Sequence, residues 1–148
     1  MYAFENDPVR SLAVWCFDKA TNADWDTHFA HLRDLATWSG KTGLRPAALL
    51  IPGGFDVPDT EHRTELTQLT ALPGYDPFVA FVAPNKAVKT VLQLFALFQR
   101  NPKYEMRYVA SVAEGIAWLE GKRGAALPEL GEMVGRVGAR MPQMKLQG

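Results

Sequence analysis

The chain has 148 residues, of which 47% are apolar and 22% charged, and its 16 basic side chains balance 16 acidic ones. These proportions are typical of one globular domain with a sizeable core. A formal net charge of zero argues against nucleic acid as the main partner, because phosphate binding requires cationic charge. The sequence has no apolar run of about 18 residues, so it predicts no membrane span.

The amino terminus and the cysteine content predict a cytoplasmic protein. The first eight residues have neither the basic region nor the apolar region of a signal peptide. Cys16 is the only cysteine, so it cannot form an internal disulfide. Because Cys16 lies in an apolar strand pattern, we expect its thiol to be buried and unreactive. A chain without disulfides fits a reducing compartment.

Five segments have the composition of strands. Their bounds are 2–5, 9–17, 47–51, 77–84 and 104–110. A turn signal at Asn6 to Pro8 separates the first two, which predicts an antiparallel hairpin. The second, third and fourth are apolar on both faces, which is typical of strands in a parallel sheet.

Helical spacing predicts helices between these strands. The first opens at Thr21, which forms a capping-box pattern with Asp24, and ends at the glycines of 40–43. The second covers 59–71, and the third covers 86–99 after the capping residue Asn85.

The carboxyl-terminal part of the chain begins with a second capping-box pattern. Ser111 and Glu114 have the required spacing and predict a helix through Leu119, which the glycines of 121–124 then break. Beyond it, apolar residues recur at spacings of three and four and predict a last amphipathic helix. They are Leu127, Leu130, Val134, Val137 and Met141.

The alternation of strands and helices predicts the fold class. It indicates an α/β domain with right-handed crossovers and a mostly parallel sheet of about five strands, with helices packed on the sheet. The first strand is expected to be an antiparallel edge strand. We assign residues 1–121 to this domain and residues 122–148 to an amphipathic tail helix.

The chain resembles the SpoIIAA-like branch of the STAS domains, the anti-sigma-factor-antagonist fold. The resemblance covers about 9–119, and its most characteristic part is the capped Ala-Trp-Leu helix. The matching pieces are Asp24-Trp25, Ala47 to Ile51, Arg63, Val79 to Pro84 and Ser111 to Leu119. The resemblance implies a STAS-like fold and a non-enzymatic domain that binds another protein. Known members carry a phosphorylatable serine in the loop before the second helix, where this chain has only Thr60.

The loop after the strand 47–51 is the first place to seek a functional site. In open α/β sheets, ligands and partners meet the carboxyl ends of the strands. Pro52 and the two glycines after it stop the strand abruptly. We therefore expect a protein partner to contact this loop and the helix that follows. The predicted contact residues there are Gly53, Gly54, Phe55, Asp56, Asp59, Thr60 and Arg63.

Thr60 is the candidate phosphorylation site. A phosphate there would place about two negative charges at a helix amino terminus, where the helix dipole favours them. The alternative is that Thr60 or Asp59 simply caps the helix.

The third helix carries more apolar residues than one buried stripe requires. Val88, Val91, Leu92, Phe95 and Phe98 form the stripe, and Leu94 and Leu97 widen it. Either the carboxyl-terminal helix covers the additional residues, or Leu94 and Leu97 contact a partner. A symmetric homodimer is the simplest partner of that kind. The apolar tail is itself a candidate helix-in-groove ligand of another protein.

Polar clusters in the sequence do not match a known catalytic or metal-binding motif. Asp56, Asp59, Glu61 and His62 lie close together in sequence, and we expect them to be solvated. His28 and His31 share a helix face, which we also expect to be solvated. We therefore predict no catalytic residue, no metal and no cofactor.

Two other functions remain as alternatives to protein binding. The first is a small-ligand or lipid-binding module, since STAS domains share general architecture with lipid-carrying folds of the CRAL-TRIO kind. Aromatic side chains could line its pocket, namely Trp15, Phe17, Phe55, Phe78 and Phe81. The second alternative is an enzyme of unassigned class.

Overall fold

The computed structural model describes residues 1–53, 58–96 and 103–146. Within these residues, five strands form a sheet in the order β1-β2-β3-β4-β5. The strands are β1 (Tyr2–Asp7), β2 (Leu12–Phe17), β3 (Ala47–Pro52), β4 (Phe78–Val82) and β5 (Glu105–Val109). The helices are α1 (Asn22–Leu35), α2 (Trp38–Thr42), α3 (Thr60–Thr70), α4 (Lys86–Ala96), α5 (Val112–Arg123) and α6 (Pro128–Arg140), followed by a 3₁₀ turn (Pro142–Met144).

The predicted fold class is confirmed. Strands β1 and β2 pair antiparallel, and β2 to β5 run parallel, so the sheet is mostly parallel with one antiparallel edge strand. This architecture is consistent with a STAS-like arrangement. The predicted start of the second strand at Val9 was wrong, because Val9 lies in the turn and is 81% exposed. The Asp7 carboxylate accepts hydrogen bonds from the backbone and side chain of Arg10 in that turn.

The strand order determines which helices share a face of the sheet. Each parallel strand from β2 to β5 is added on the same side of the previous one, so right-handed crossovers place α1, α3 and α4 on one face. Helices α5 and α6 cover the opposite face. The β2 strand serves both layers: Trp15 and Phe17 pack toward α1, whereas Val14 and Cys16 pack toward α6.

The amino termini of the helices carry the predicted caps. The Thr21 hydroxyl accepts a hydrogen bond from the Asp24 backbone, and the Asp24 carboxylate accepts one from the Thr21 backbone. Ser111 accepts the corresponding bond at α5, and Asn85 does so at α4. The predicted first helix is in fact two helices, α1 and α2, separated at residues 36 and 37.

The carboxyl-terminal segment is part of the fold. The helix predicted through Leu119 continues past Gly121 to Arg123 as α5. It ends at Gly124, the last residue of the predicted break, whose φ of 75° is left-handed. The boundary that we place after Gly121 therefore lies inside α5. The five apolar residues predicted for the tail are all buried, and α6 packs on β1 and β2. Since α4 lies on the other face, α6 does not cover it, and that alternative for the third helix was wrong.

Two glycines of α5 give a matched test of its packing. A Cβ at Gly115 would lie 2.6 Å from Leu49 Cδ1, whereas a Cβ at Gly121 would meet no atom within 4 Å. We expect Gly115→Ala to lower the free energy of unfolding by about 1 kcal/mol, because overpacking outweighs the gain in helix propensity. Gly121→Ala should raise it by about 0.5–1 kcal/mol. Urea unfolding measures both, and equal changes at the two positions would contradict the packing of α5 on β3.

Candidate functional site

The carboxyl ends of the parallel strands bring together part of the predicted partner site. At the end of β3, the Gly53 backbone donates a hydrogen bond of 2.6 Å to the Phe17 carbonyl at the end of β2. Asp59, Thr60 and Arg63 belong to the start of α3, which follows β3. Four other predicted contact residues lie outside the described residues, so the structure describes only part of this surface. They are Gly54, Phe55, Asp56 and Leu97.

The chain's own carboxyl-terminal segment covers this edge beside Gly53. Met144, in the 3₁₀ turn after α6, lies so close that a Cβ on Gly53 would be 2.6 Å from its sulfur. The same Cβ would be 2.8 Å from the Phe17 carbonyl oxygen. A hollow under residues 144–146 is also lined by Ile51 and Ser111. Gly53 therefore packs between a neighbouring strand and the tail, and its small size is required for that close approach.

The start of α3 pairs an exposed hydroxyl with a guanidinium group. Asp59 is the capping residue, and its carboxylate accepts a hydrogen bond from the His62 backbone. Thr60 is the first residue of the helix and is exposed. Arg63 donates a hydrogen bond of 3.0 Å to the Thr60 hydroxyl and one of 3.3 Å to the Pro58 carbonyl. The Thr60 side chain is thus accessible and already contacts a cation.

His62 connects two helices through carboxylates on both sides of its ring. Its Nδ1 lies 2.7 Å from Asp59, and its Nε2 lies 2.9 Å from Asp26 on α1. The hydrogen bond with Asp59 is the main cause of a raised His62 pKa, and Asp26 raises this pKa further. The contacts between His62 and Asp59 lower the Asp59 pKa, and the largest cause is the hydrogen bond from the His62 backbone N–H. His62 is therefore part of an ion-pair bridge, and the expectation that it is merely solvated was wrong.

The prediction that the face carrying His28 and His31 is solvated was wrong. The Tyr2 hydroxyl lies 2.9 Å from Nδ1 of both histidines, so it donates to one ring and accepts from the other. Burial lowers the His28 pKa to about 3, so this ring is neutral at physiological pH. Burial also raises the Tyr2 pKa. The helical spacing of the two histidines was visible in the sequence, but their shared contact with β1 depends on the hairpin register.

A cavity of about 60 Å³ lies between the sheet and helices α1, α3 and α4. Trp15 and Phe81, two of the five aromatic residues considered for a pocket, line it. Phe17 instead stacks between the rings of Tyr2 and Trp25, and Phe78 packs against Trp118 on the opposite face. The fifth residue, Phe55, lies outside the described residues.

The predicted contact residue on α4 is separate from the strand edge. Leu94 is 52% exposed, whereas Leu92 is buried and lines the cavity. Leu94 lies near the carboxyl end of α4, and Thr60 lies at the amino end of α3. Because these helices follow successive parallel strands, the two residues lie toward opposite ends of the helical layer.

The remaining candidates for site chemistry are the Cys16 thiol and a metal-binding cluster. Cys16 is buried, as predicted, and burial raises its pKa to about 12, so the thiol stays protonated. In residues 1–53, 58–96 and 103–146, no group of three or more histidine, cysteine or acidic side chains is arranged to hold a metal ion. None of the helices in these ranges is both long and apolar enough to cross a bilayer.

Comparison with known proteins assigns the chain to no family. No protein-family profile, no curated protein and no solved structure matches it.

Substitution of Gly53 tests the close packing at the strand edge. We expect Gly53→Ala to lower the free energy of unfolding by about 1–3 kcal/mol, because the Phe17 carbonyl cannot move away without breaking its backbone hydrogen bond. The displaced tail should also be cut faster by trypsin after Lys145. Gly40→Ala is the control, since a Cβ there meets no atom within 4 Å. An unchanged cleavage rate in Gly53→Ala would contradict the contact with Met144.

The His62 bridge predicts a specific dependence of stability on pH. The folded-state pKa of His62 is raised, so its contribution to stability is complete below the unfolded value of about 6.5 and is lost as pH rises through the folded value. Asp26→Asn should therefore destabilise the protein at pH 5.5 and have little effect at pH 8.5. It should also lower the His62 titration midpoint measured by NMR.

Glu132→Gln on α6 removes an exposed carboxylate from the opposite face and should leave that midpoint unchanged. A wild-type midpoint at or below 6.5 would exclude the bridge in solution.

Proposed function

We propose that this chain is a non-enzymatic regulatory or scaffolding domain that acts by binding another protein. The observation that carries the proposal is the exposed Thr60 hydroxyl held against the Arg63 guanidinium at the start of α3. This pair lies beside the carboxyl ends of the strands, which is where open α/β sheets usually meet their partners. The resemblance to SpoIIAA-like STAS proteins implies the same kind of function.

Phosphorylation of Thr60 would change the charge of this surface without requiring a new fold. The phosphate adds about two negative charges at a helix amino terminus, where the dipole stabilises them. Arg63 is already within hydrogen-bond distance of the hydroxyl that would carry the phosphate. Asp59 and Glu61 oppose the modification by repulsion, since they flank Thr60 in sequence. The modified surface would be strongly acidic and would repel a partner that binds Arg63 through carboxylates.

Leu94 is a second candidate contact surface. Its exposure on α4 is compatible with a symmetric homodimer, in which a small apolar patch of one chain packs on the same patch of another. Light scattering of the full chain and of Leu94→Glu tests this part of the proposal separately. A dimer that becomes a monomer in Leu94→Glu supports it, and a wild-type monomer excludes it.

The partner surface is tested by affinity capture from cells that contain the protein, with wild type and three variants as bait. We expect wild type to retain one protein in stoichiometric amount, and Arg63→Glu and Thr60→Glu to retain at least tenfold less of it. Arg63→Glu replaces a positive charge at the start of α3 with a negative one, and Thr60→Glu adds a negative charge there. Glu132→Gln, on the opposite face, is the matched control and should retain as much as wild type. Equal retention by Arg63→Glu would contradict this surface, and no stoichiometric protein on wild type would contradict the function.

A further inference from the structure

Two buried polar side chains line the cavity beneath the helical layer. His28 is 3% exposed and Tyr75 is 4% exposed, and both line the cavity. The Tyr2 hydroxyl forms a hydrogen bond with Nδ1 of His28, and the two nitrogens of an imidazole point in nearly opposite directions. Nε2 of His28 therefore faces away from Tyr2. The Tyr75 ring packs edge-to-face against Tyr104, with the two ring centroids 5.5 Å apart.

A molecule in the cavity could form hydrogen bonds with these polar side chains. A buried polar group without a hydrogen bond is destabilising, and native proteins contain few of them. Water is the simplest partner, but a stable buried water needs two to four polar contacts, and apolar cavities stay dry. The walls here are mainly aromatic and aliphatic, including Trp15, Phe81 and Leu92. The cavity therefore combines the polar side chains of His28, Tyr75 and Tyr104 with extended apolar walls.

The size of the cavity points to a molecule larger than one water. Its volume of about 60 Å³ is several times the roughly 10–15 Å³ that one water requires. None of the described residues that line it is an aspartate, glutamate, lysine or arginine. An ion would be buried without a counter-charge, which is strongly unfavourable. The occupant is expected to be compact and uncharged.

We propose that this cavity binds a small neutral aromatic molecule carrying one hydrogen-bonding group, which contacts Nε2 of His28 and the hydroxyl of Tyr75. The aromatic body packs against Trp15 and Phe81, since offset and edge-to-face contacts between rings are favourable. His28 is uncharged at neutral pH, so its Nε2 donates or accepts according to the tautomer set by Tyr2. This site is separate from the protein-binding surface at the start of α3.

Occupancy of the cavity would also affect the helical layer. The cavity is lined by Leu66 of α3 and by Leu92 of α4 as well as by the sheet. A ligand would therefore contact both helices at once and fix their positions relative to the sheet. Binding would stabilise the folded protein by mass action.

The experiment is an NMR titration of the full chain with phenol, using benzene as the matched probe without a hydrogen-bonding group. We expect phenol to shift the Nε2 resonance of His28 and benzene to shift ring-contact resonances only. Tyr75→Phe removes one hydroxyl and keeps the ring, so it should weaken phenol binding about threefold to tenfold and leave benzene binding unchanged.

Two variants of α4 test the location. Leu92→Phe fills the cavity and should reduce binding of both probes at least tenfold, whereas Gln93→Phe adds the same ring on the exposed side and should have no effect. Several outcomes would overturn the proposal: no shift of the His28 resonance by phenol, equal weakening of both probes in Tyr75→Phe, or unchanged binding in Leu92→Phe. A crystal structure grown with phenol that shows only water in the cavity would overturn it as well.

Discussion

Right-handed crossovers between strands added in sequence order are the constraint on which this structure depends. Each crossover from β2 to β5 returns over the same face of the sheet, so α1, α3 and α4 form one layer. The opposite face would expose a row of apolar side chains from β2 and β3, including Val14 and Leu49. Helices α5 and α6 bury that face. The carboxyl-terminal segment is thus a structural requirement of the strand order.

This arrangement distributes possible functions over the molecule. One face of the sheet is closed by α5 and α6, and the tail continues to the carboxyl edge, where Met144 packs on Gly53. On the other face, the helical layer carries the exposed Thr60–Arg63 pair at the start of α3, and the cavity lies between this layer and the sheet. The partner surface and the ligand cavity that we propose both belong to this layer. They are distinct sites, because one is exposed and charged and the other is buried and uncharged.

Local chemistry explains which features could be predicted from the sequence. Apolar runs such as 47–51 and capping pairs such as Ser111 with Glu114 act over a few residues. The strands, the starts of the helices and the mostly parallel sheet could therefore be predicted from the sequence. Gly121 was misread because a glycine within a helix costs only about 1 kcal/mol, which packing outweighs.

Contacts between distant segments could not be predicted in the same way. The cluster of Tyr2 with His28 and His31 depends on the hairpin register, and the bridge from His62 to Asp26 depends on how α1 and α3 lie together. No spacing rule connects residues 26, 29 or 36 positions apart. The side on which α6 packs also follows from topology, since an amphipathic pattern specifies a buried face but not its partner.

The most direct test of this account is the behaviour of a chain that ends after Gly124, compared with the full chain by light scattering and urea unfolding. If α6 closes the second face of the sheet in its own chain, the full protein unfolds cooperatively. The shortened protein should then associate through its exposed apolar face or lose cooperative unfolding. A shortened chain that stays monomeric and unfolds with the same midpoint would show that α6 does not hold the sheet. The division of the molecule into one face closed by α5 and α6 and one face that carries the proposed sites would then be wrong.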